Sequence, residues 1–113
     1  MTIQRFPGNA PGRCRAVASD NLVFTVATAP GFLSLQEQTR QVLARIEQNL
    51  ADAGSDKTRL LSATVYLTDI SRKAEMDEVW NGWIGPENWP QRACVQAGLA
   101  PNTLVEISVI AAK

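Results

Sequence analysis

The carboxyl-terminal third of the chain holds the residues best placed to do chemistry. Arg92 opens the run Arg92-Ala93-Cys94-Val95-Gln96, and Glu106 sits between Val105 and Ile107, so each charge interrupts an otherwise apolar, strand-like stretch. A guanidinium in apolar surroundings is costly unless it meets an anion, and its planar fork matches a carboxylate in bidentate fashion. Arg92 therefore reads as a clamp for a small organic acid, as the partner of an internal acid, or as a solvated strand end. Glu106 reads as a carboxylate whose pKa is set by a cleft, or as a charge that solubilises an edge strand. Cys94 has only Arg92 near it in sequence to favour a thiolate, and a small buried hydrophobe is the simpler role. Cys14, flanked by Arg13 and Arg15, stands in a more electropositive neighbourhood. Arg5, Arg13 and Arg15 together read as a solvated strand and tail.

Absences narrow the field further. The chain has no histidine, which removes imidazole bases and imidazole metal ligands. It carries no phosphate-cradling glycine loop and no nucleophile elbow, and two cysteines alone do not make a zinc site, so no metal is expected. Eleven Lys plus Arg balance eleven Asp plus Glu, which is not the basic excess of a dedicated nucleic-acid binder. The stretch from Met1 to Pro11 is polar, without the apolar core of a signal peptide, and no run approaches the roughly 18 apolar residues of a membrane span. A cytoplasmic protein with reduced thiols is expected.

These side chains must be positioned by a small set of elements. Residues 1–113 suffice for one domain, since separate cores usually need about 100 residues apiece. Arg13 to Ala18 and Leu22 to Thr28 read as strands joined by the turn Ser19-Asp20-Asn21. Ser34 and Glu37 form a capping-box pattern ahead of an amphipathic helix with Leu35, Thr39, Val42, Leu43, Ile46, Leu50 and Ala53 on one side, ended by Gly54. Leu60 to Leu67 alternates as a strand, with Leu61, Ala63, Val65 and Leu67 on one face and Leu60 and Tyr66 on the other. Asp69 and Ser71 offer caps for a second helix with the stripe Met76, Val79, Trp80, Trp83 and Ile84, stopped by Gly85-Pro86. Arg92 to Ala97 and Leu104 to Ala112 close the chain as strands. The order ββαβαββ predicts an α+β layer, one sheet with both helices packed on one face. The other sheet face would carry too much apolar surface for a free monomer, and self-association is the simplest cover.

The stretch Pro90-Gln91-Arg92-Ala93-Cys94-Val95-Gln96-Ala97-Gly98-Leu99, followed by Val105-Glu106-Ile107, resembles the signature of the Rid family, the reactive intermediate deaminases or RidA/YjgF-like proteins. The strand Ala63 to Asp69, the helix carrying Trp80 and the helix end at Ala53-Gly54-Ser55 fit the same family, so the resemblance spans essentially the whole chain. It implies a chorismate-mutase-like fold and a homotrimer with a pocket at each subunit interface. It also implies cofactor-free hydrolysis of 2-imino or 2-enamino acids, such as 2-aminoacrylate, to 2-keto acids and ammonia.

Residue by residue, the resemblance makes Arg92 the holder of the substrate carboxylate. The backbone around Cys94 becomes the segment whose carbonyl helps position the attacking water, and Glu106 the glutamate beside that water. The loop from Thr28 through Ala29, Pro30 and Gly31 to Phe32 becomes the pocket rim. The chain departs from the family where Cys14 stands in place of a tyrosine, Ala27-Thr28-Ala29-Pro30 in place of a glycine-containing loop, and Asp77 in place of an asparagine. Cys14 and Asp77 thereby become candidate substrate contacts. A trimer that binds small 2-keto acids without turnover is the alternative. Ribonuclease activity, attributed to some members, is opposed by the balanced charge and the lack of a basic aromatic stripe.

Overall fold

The structure, a computed structural model, describes residues 1–113. Its elements are β1 (Gln4–Pro7), β2 (Cys14–Ala18), β3 (Leu22–Thr28), α1 (Leu35–Asp52), β4 (Leu60–Leu67), α2 (Lys73–Ile84), β5 (Gln91–Gln96) and β6 (Val105–Ala112). The strands form one sheet in the order β1-β2-β3-β6-β4-β5. Every neighbouring pair is antiparallel except β4 and β5. Parallel strands need a long crossover, and α2 supplies it. Both helices lie on one face, as the element order predicts, over a core of 20 buried residues that includes Leu43, Ile46, Val65, Trp80 and Ile107.

The expected order lacks β1. Gln4–Pro7 has neither alternation nor β-branched residues, so its own sequence does not ask for a strand. It becomes one because β2 presents an open edge, against which Gln4 pairs with Ala18 and Phe6 with Ala16.

Two bulges re-aim side chains that strict alternation misplaces, because an extra residue in one strand shifts the face of all that follow. The β4–β6 register slips between Leu60 and Ser62. Leu60 is therefore buried while Leu61 is 50% exposed, the reverse of the expected assignment. The β1–β2 register slips so that Ala16 faces Phe6 but Cys14 faces Pro7, leaving Arg15 as the extra residue. Arg15 then reaches α1, where its Nη1 lies 2.8 Å from both Asn49 Oδ1 and Asp52 Oδ2. It is a structural tie between strand and helix and not part of a solvated basic tail.

The helix ends follow the sequence with two differences. Ser34 Oγ accepts the Glu37 amide as expected, but the Glu37 carboxylate turns to Arg40, so the reciprocal half of the capping box is not made. Asp69 accepts the Ser71 amide and opens a 3-10 turn, and α2 begins after it at Lys73 without a side-chain cap.

Gln38 is buried on the core side of α1. Its Nε2 donates to the carbonyls of Gly31 (3.2 Å) and Asn102 (3.1 Å), and its Oε1 accepts the Leu104 amide at 2.9 Å. One side chain thus fastens the loop after β3 to the turn before β6. Gln38→Leu would strand the Gly31 carbonyl and the Leu104 amide, while the Asn102 carbonyl keeps the Gly31 amide, and each uncompensated group costs about 1–3 kcal/mol. A loss of about 2–4 kcal/mol is expected in urea unfolding, against under about 1 kcal/mol for an ordinary surface change.

The sheet face away from the helices remains uncovered. Phe24 (43% exposed), Leu61 and Val95 (41%) lie open, with Tyr66 and Ile110 half-buried among them.

Candidate functional site

The sequence candidates fall into two clusters on opposite faces of the sheet. The first lies on the helix side at the β5 edge. There Arg92 pairs in register with Ala63, and Cys94 with Val65, both core residues. Arg92 lies with its guanidinium carbon 5.4 Å from the centre of the Trp80 ring, and its Nη2 donates to Asp77 Oδ1 at 2.7 Å. Lys73 Nζ donates to Asp77 Oδ2 at 2.6 Å. Residues three and four apart share a helix face, so α2 presents Lys73, Asp77 and Trp80 as one strip against β5. Arg92 Nη1 is buried and has no hydrogen-bond partner.

Electrostatics fix the protonation states of this cluster. Burial would raise the Asp77 pKa, but hydrogen bonds from Lys73 and Arg92, with their charges, hold it below the usual carboxylate range. Burial pushes the Cys94 thiol up, and the Arg92 charge offsets this only in part. Cys94 is therefore a neutral thiol near pH 7, not a nucleophile in waiting. Its backbone offers more. Ala97 donates its amide to Leu67 of β4, and parallel strands alternate the direction of their backbone groups, so those of Cys94 point to the free edge of β5.

The second cluster surrounds a groove of about 760 Å³ lined by Cys14, Val26, Ala27, Thr28 and Glu106, among others. Glu106 pairs in register with Thr28 on one side and Tyr66 on the other, and its neighbours Val105 and Ile107 point into the core. Its carboxylate therefore belongs to the uncovered face. The groove curls around the end of the sheet to Arg45 and Asn49 of α1, and the Arg45 guanidinium donates to the Thr28 carbonyl. The rest of the expected rim is not part of it. Ala29 is buried in the core, Pro30 is exposed away from the groove, and Gly31 is held by Gln38 and Asn102. The chain turns inward after Thr28 because α1 must start beneath the sheet.

A further, more open groove of about 680 Å³ separates α1 from α2. Its Trp83 donates to Glu47 at 2.6 Å, and its polar groups are solvated, without a convergent unpartnered donor or acceptor. No cluster of three His, Cys, Asp or Glu side chains could hold a metal ion. No helix is long and apolar enough to cross a membrane.

Sequence reasoning did not pick out Lys73, Arg45 or Asn49. The four-residue spacing of Lys73 and Asp77 was a legible signal for the first. Nothing local marks Arg45 or Asn49, which meet the groove only when α1 docks on the sheet.

A six-stranded mixed sheet with two helices on one face is the α+β, chorismate-mutase-like fold of YjgF proteins. The family model described as Endoribonuclease L-PSP matches residues 14–113. A RutC family protein of Haemophilus influenzae is 37% identical over 116 residues, covering 98% of each chain. Another, from Haemophilus ducreyi, is 47% identical over 77 residues, 67% of this chain and 66% of that one. A crystal structure of a YjgF-family protein from Neisseria meningitidis superposes with a TM-score of 0.89 at 40% identity, covering 100% of this chain and 96% of that one. The chain belongs to this Rid/YjgF family, with RutC family proteins among its relatives.

Proposed function

We propose that the protein hydrolyses reactive 2-imino and 2-enamino acids to 2-keto acids and ammonia, without a cofactor, in pockets completed between the subunits of a homotrimer. The observation that carries this reading is the separation of Arg92 from Glu106. Each has the character needed for one half of the reaction, but they lie on opposite faces of one sheet, so a single chain cannot bring both to one small molecule. A neighbouring copy can, if the β5 edge of one protomer meets the uncovered face of the next. Such packing would also cover Phe24, Leu61 and Val95, whose exposure needs explaining in any case.

The chemistry asks little of the site. A protonated imine beside a carboxylate is already electrophilic at carbon. Arg92 holds the carboxylate with N–H groups not committed to Asp77, and the Cys94 carbonyl at the β5 edge accepts a hydrogen bond from the incoming water. Glu106 takes a proton from that water as its oxygen bonds to the imine carbon. Glu106 then passes that proton to the carbinolamine nitrogen; as the C–N bond breaks and the C=O bond forms, Glu106 takes up the hydroxyl proton, which leaves with ammonia as ammonium. Positioning of this kind contributes several kcal/mol, up to about ten in ideal cases.

Ribonuclease chemistry has less support. The chain has no net positive charge, and Arg15, Arg72 and Arg92 are each paired with a carboxylate, which is not the basic excess a phosphate backbone calls for. Non-catalytic binding of a keto acid draws support from one observation, the Asp77 carboxylate already resting on Arg92.

The test is ammonia release from 2-iminopropionate generated in situ. Release several-fold above the spontaneous rate is expected. No acceleration, together with a thermal shift on adding 2-ketobutyrate, would replace the hydrolase by the binder; neither response would remove both.

A further inference from the structure

Resting on the reading of Arg92 as the substrate anchor, we infer that Asp77 sets the substrate class by countering the charge of that anchor. A guanidinium facing a carboxylate normally offers two parallel N–H donors, and that bidentate fork is what favours a carboxylate over a neutral carbonyl. Here one N–H of Nη2 is committed to Asp77 at 2.7 Å. Nη1 is buried and without a partner. The remaining N–H groups of Arg92 are uncommitted, so Asp77 acts on a ligand through its charge beside the guanidinium and not by using up the donors.

The Arg92 side chain is 19% exposed and that of Asp77 23%, so their pair is only partly screened by solvent. An incoming carboxylate meets a guanidinium whose charge is already countered, and it approaches within a few ångströms of a second carboxylate. A ketone or amide carbonyl meets no such repulsion and satisfies Nη1 equally well. Lys73 moderates the effect, since it draws Asp77 Oδ2 from the other side and is itself 45% exposed. The site thus accepts a 2-imino or 2-keto group flanked by a neutral carbonyl about as readily as one flanked by a carboxylate. Asp77 touches Arg92 directly, and its role is to set specificity, not to take part in bond making.

Calorimetric titration with 2-oxobutanoate and with its neutral amide, 2-oxobutanamide, tests this. Wild type is expected to bind the two with affinities within about threefold, because Asp77 already counters the charge that would favour the acid. Asp77→Asn keeps an acceptor oxygen beside Nη2 but removes the repulsion, so acid affinity should rise about tenfold with little change for the amide. Lys73→Met leaves Asp77 resting on Arg92 alone and should move the preference several-fold toward the amide. Because the two substitutions act in opposite directions, a general loosening of α2 cannot reproduce both.

An unchanged acid-to-amide ratio in Asp77→Asn overturns the inference while leaving the hydrolase reading in place. So does weaker acid binding in that variant, which would make Asp77 a mere support for Arg92. Acid binding that survives Arg92→Ala removes the anchor itself and both readings with it. Absence of binding to either compound, in proteins with intact cooperative melts, also removes both.

Discussion

Arg92→Ala and Glu106→Gln protomers, each without activity alone, are expected to recover about a quarter of the wild-type rate when refolded together in equal amounts. The figure follows from where the two side chains lie. Arg92 faces the helices, packed over Trp80, whereas Glu106 lines the groove with Cys14 and Thr28 on the other face. A working pocket then takes its arginine from one subunit and its glutamate from the next. In a randomly assembled trimer, a given interface has about a one-in-two chance of an intact Arg92 and the same chance of an intact Glu106 opposite it. Their product is about one quarter. Alone, each substitution should lower ammonia release from 2-iminopropionate by about a hundredfold or more, the scale on which a positioned charge or proton acceptor acts. A mixture no more active than its parents would show that both residues serve one site within a chain or that one is dispensable. The second case is visible in the single variants.

Phe24→Asp is expected to convert the proposed homotrimer to single chains of 12.3 kDa in light scattering, a threefold drop in mass, and to abolish the proposed turnover with it. Phe24 is a large apolar side chain left 43% exposed on the uncovered face, in register between Val17 of β2 and Ile110 of β6. In the isolated chain a carboxylate there meets water and costs little. Between sheets it would be desolvated once per subunit, at several kcal/mol each. The monomer should therefore keep a cooperative melt. Retention of the trimer with full activity would mean that the subunits meet elsewhere.

The core of the fold was legible because its signals are local and repeated. The three- and four-residue spacing from Leu35 to Leu50 can only be an amphipathic helix, and Val105, Ile107 and Val109 can only be one face of a strand. Both are buried as expected. The closing motif around Arg92 and Glu106 likewise carries the family resemblance within the sequence. Local patterns failed where a partner decided the outcome. Gln4–Pro7 became a strand because β2 had an edge to offer, and Leu60 and Leu61 exchanged faces because one bulge shifted the register.

The candidate site divides in the same way. Residue types and spacing determined that Arg92 and Glu106 interrupt apolar strands and that Arg92, if buried, needs an anion, since the cost of burying charge is a property of the side chain alone. Which anion Arg92 meets is a matter of three-dimensional proximity. Fifteen positions separate it from Asp77, and only the crossover through α2 lays that helix against β5 and brings the two within 2.7 Å. That the arginine and the glutamate look out from opposite faces was also settled by tertiary structure, because sheet register and strand order fix side-chain direction and neither is written within any one strand.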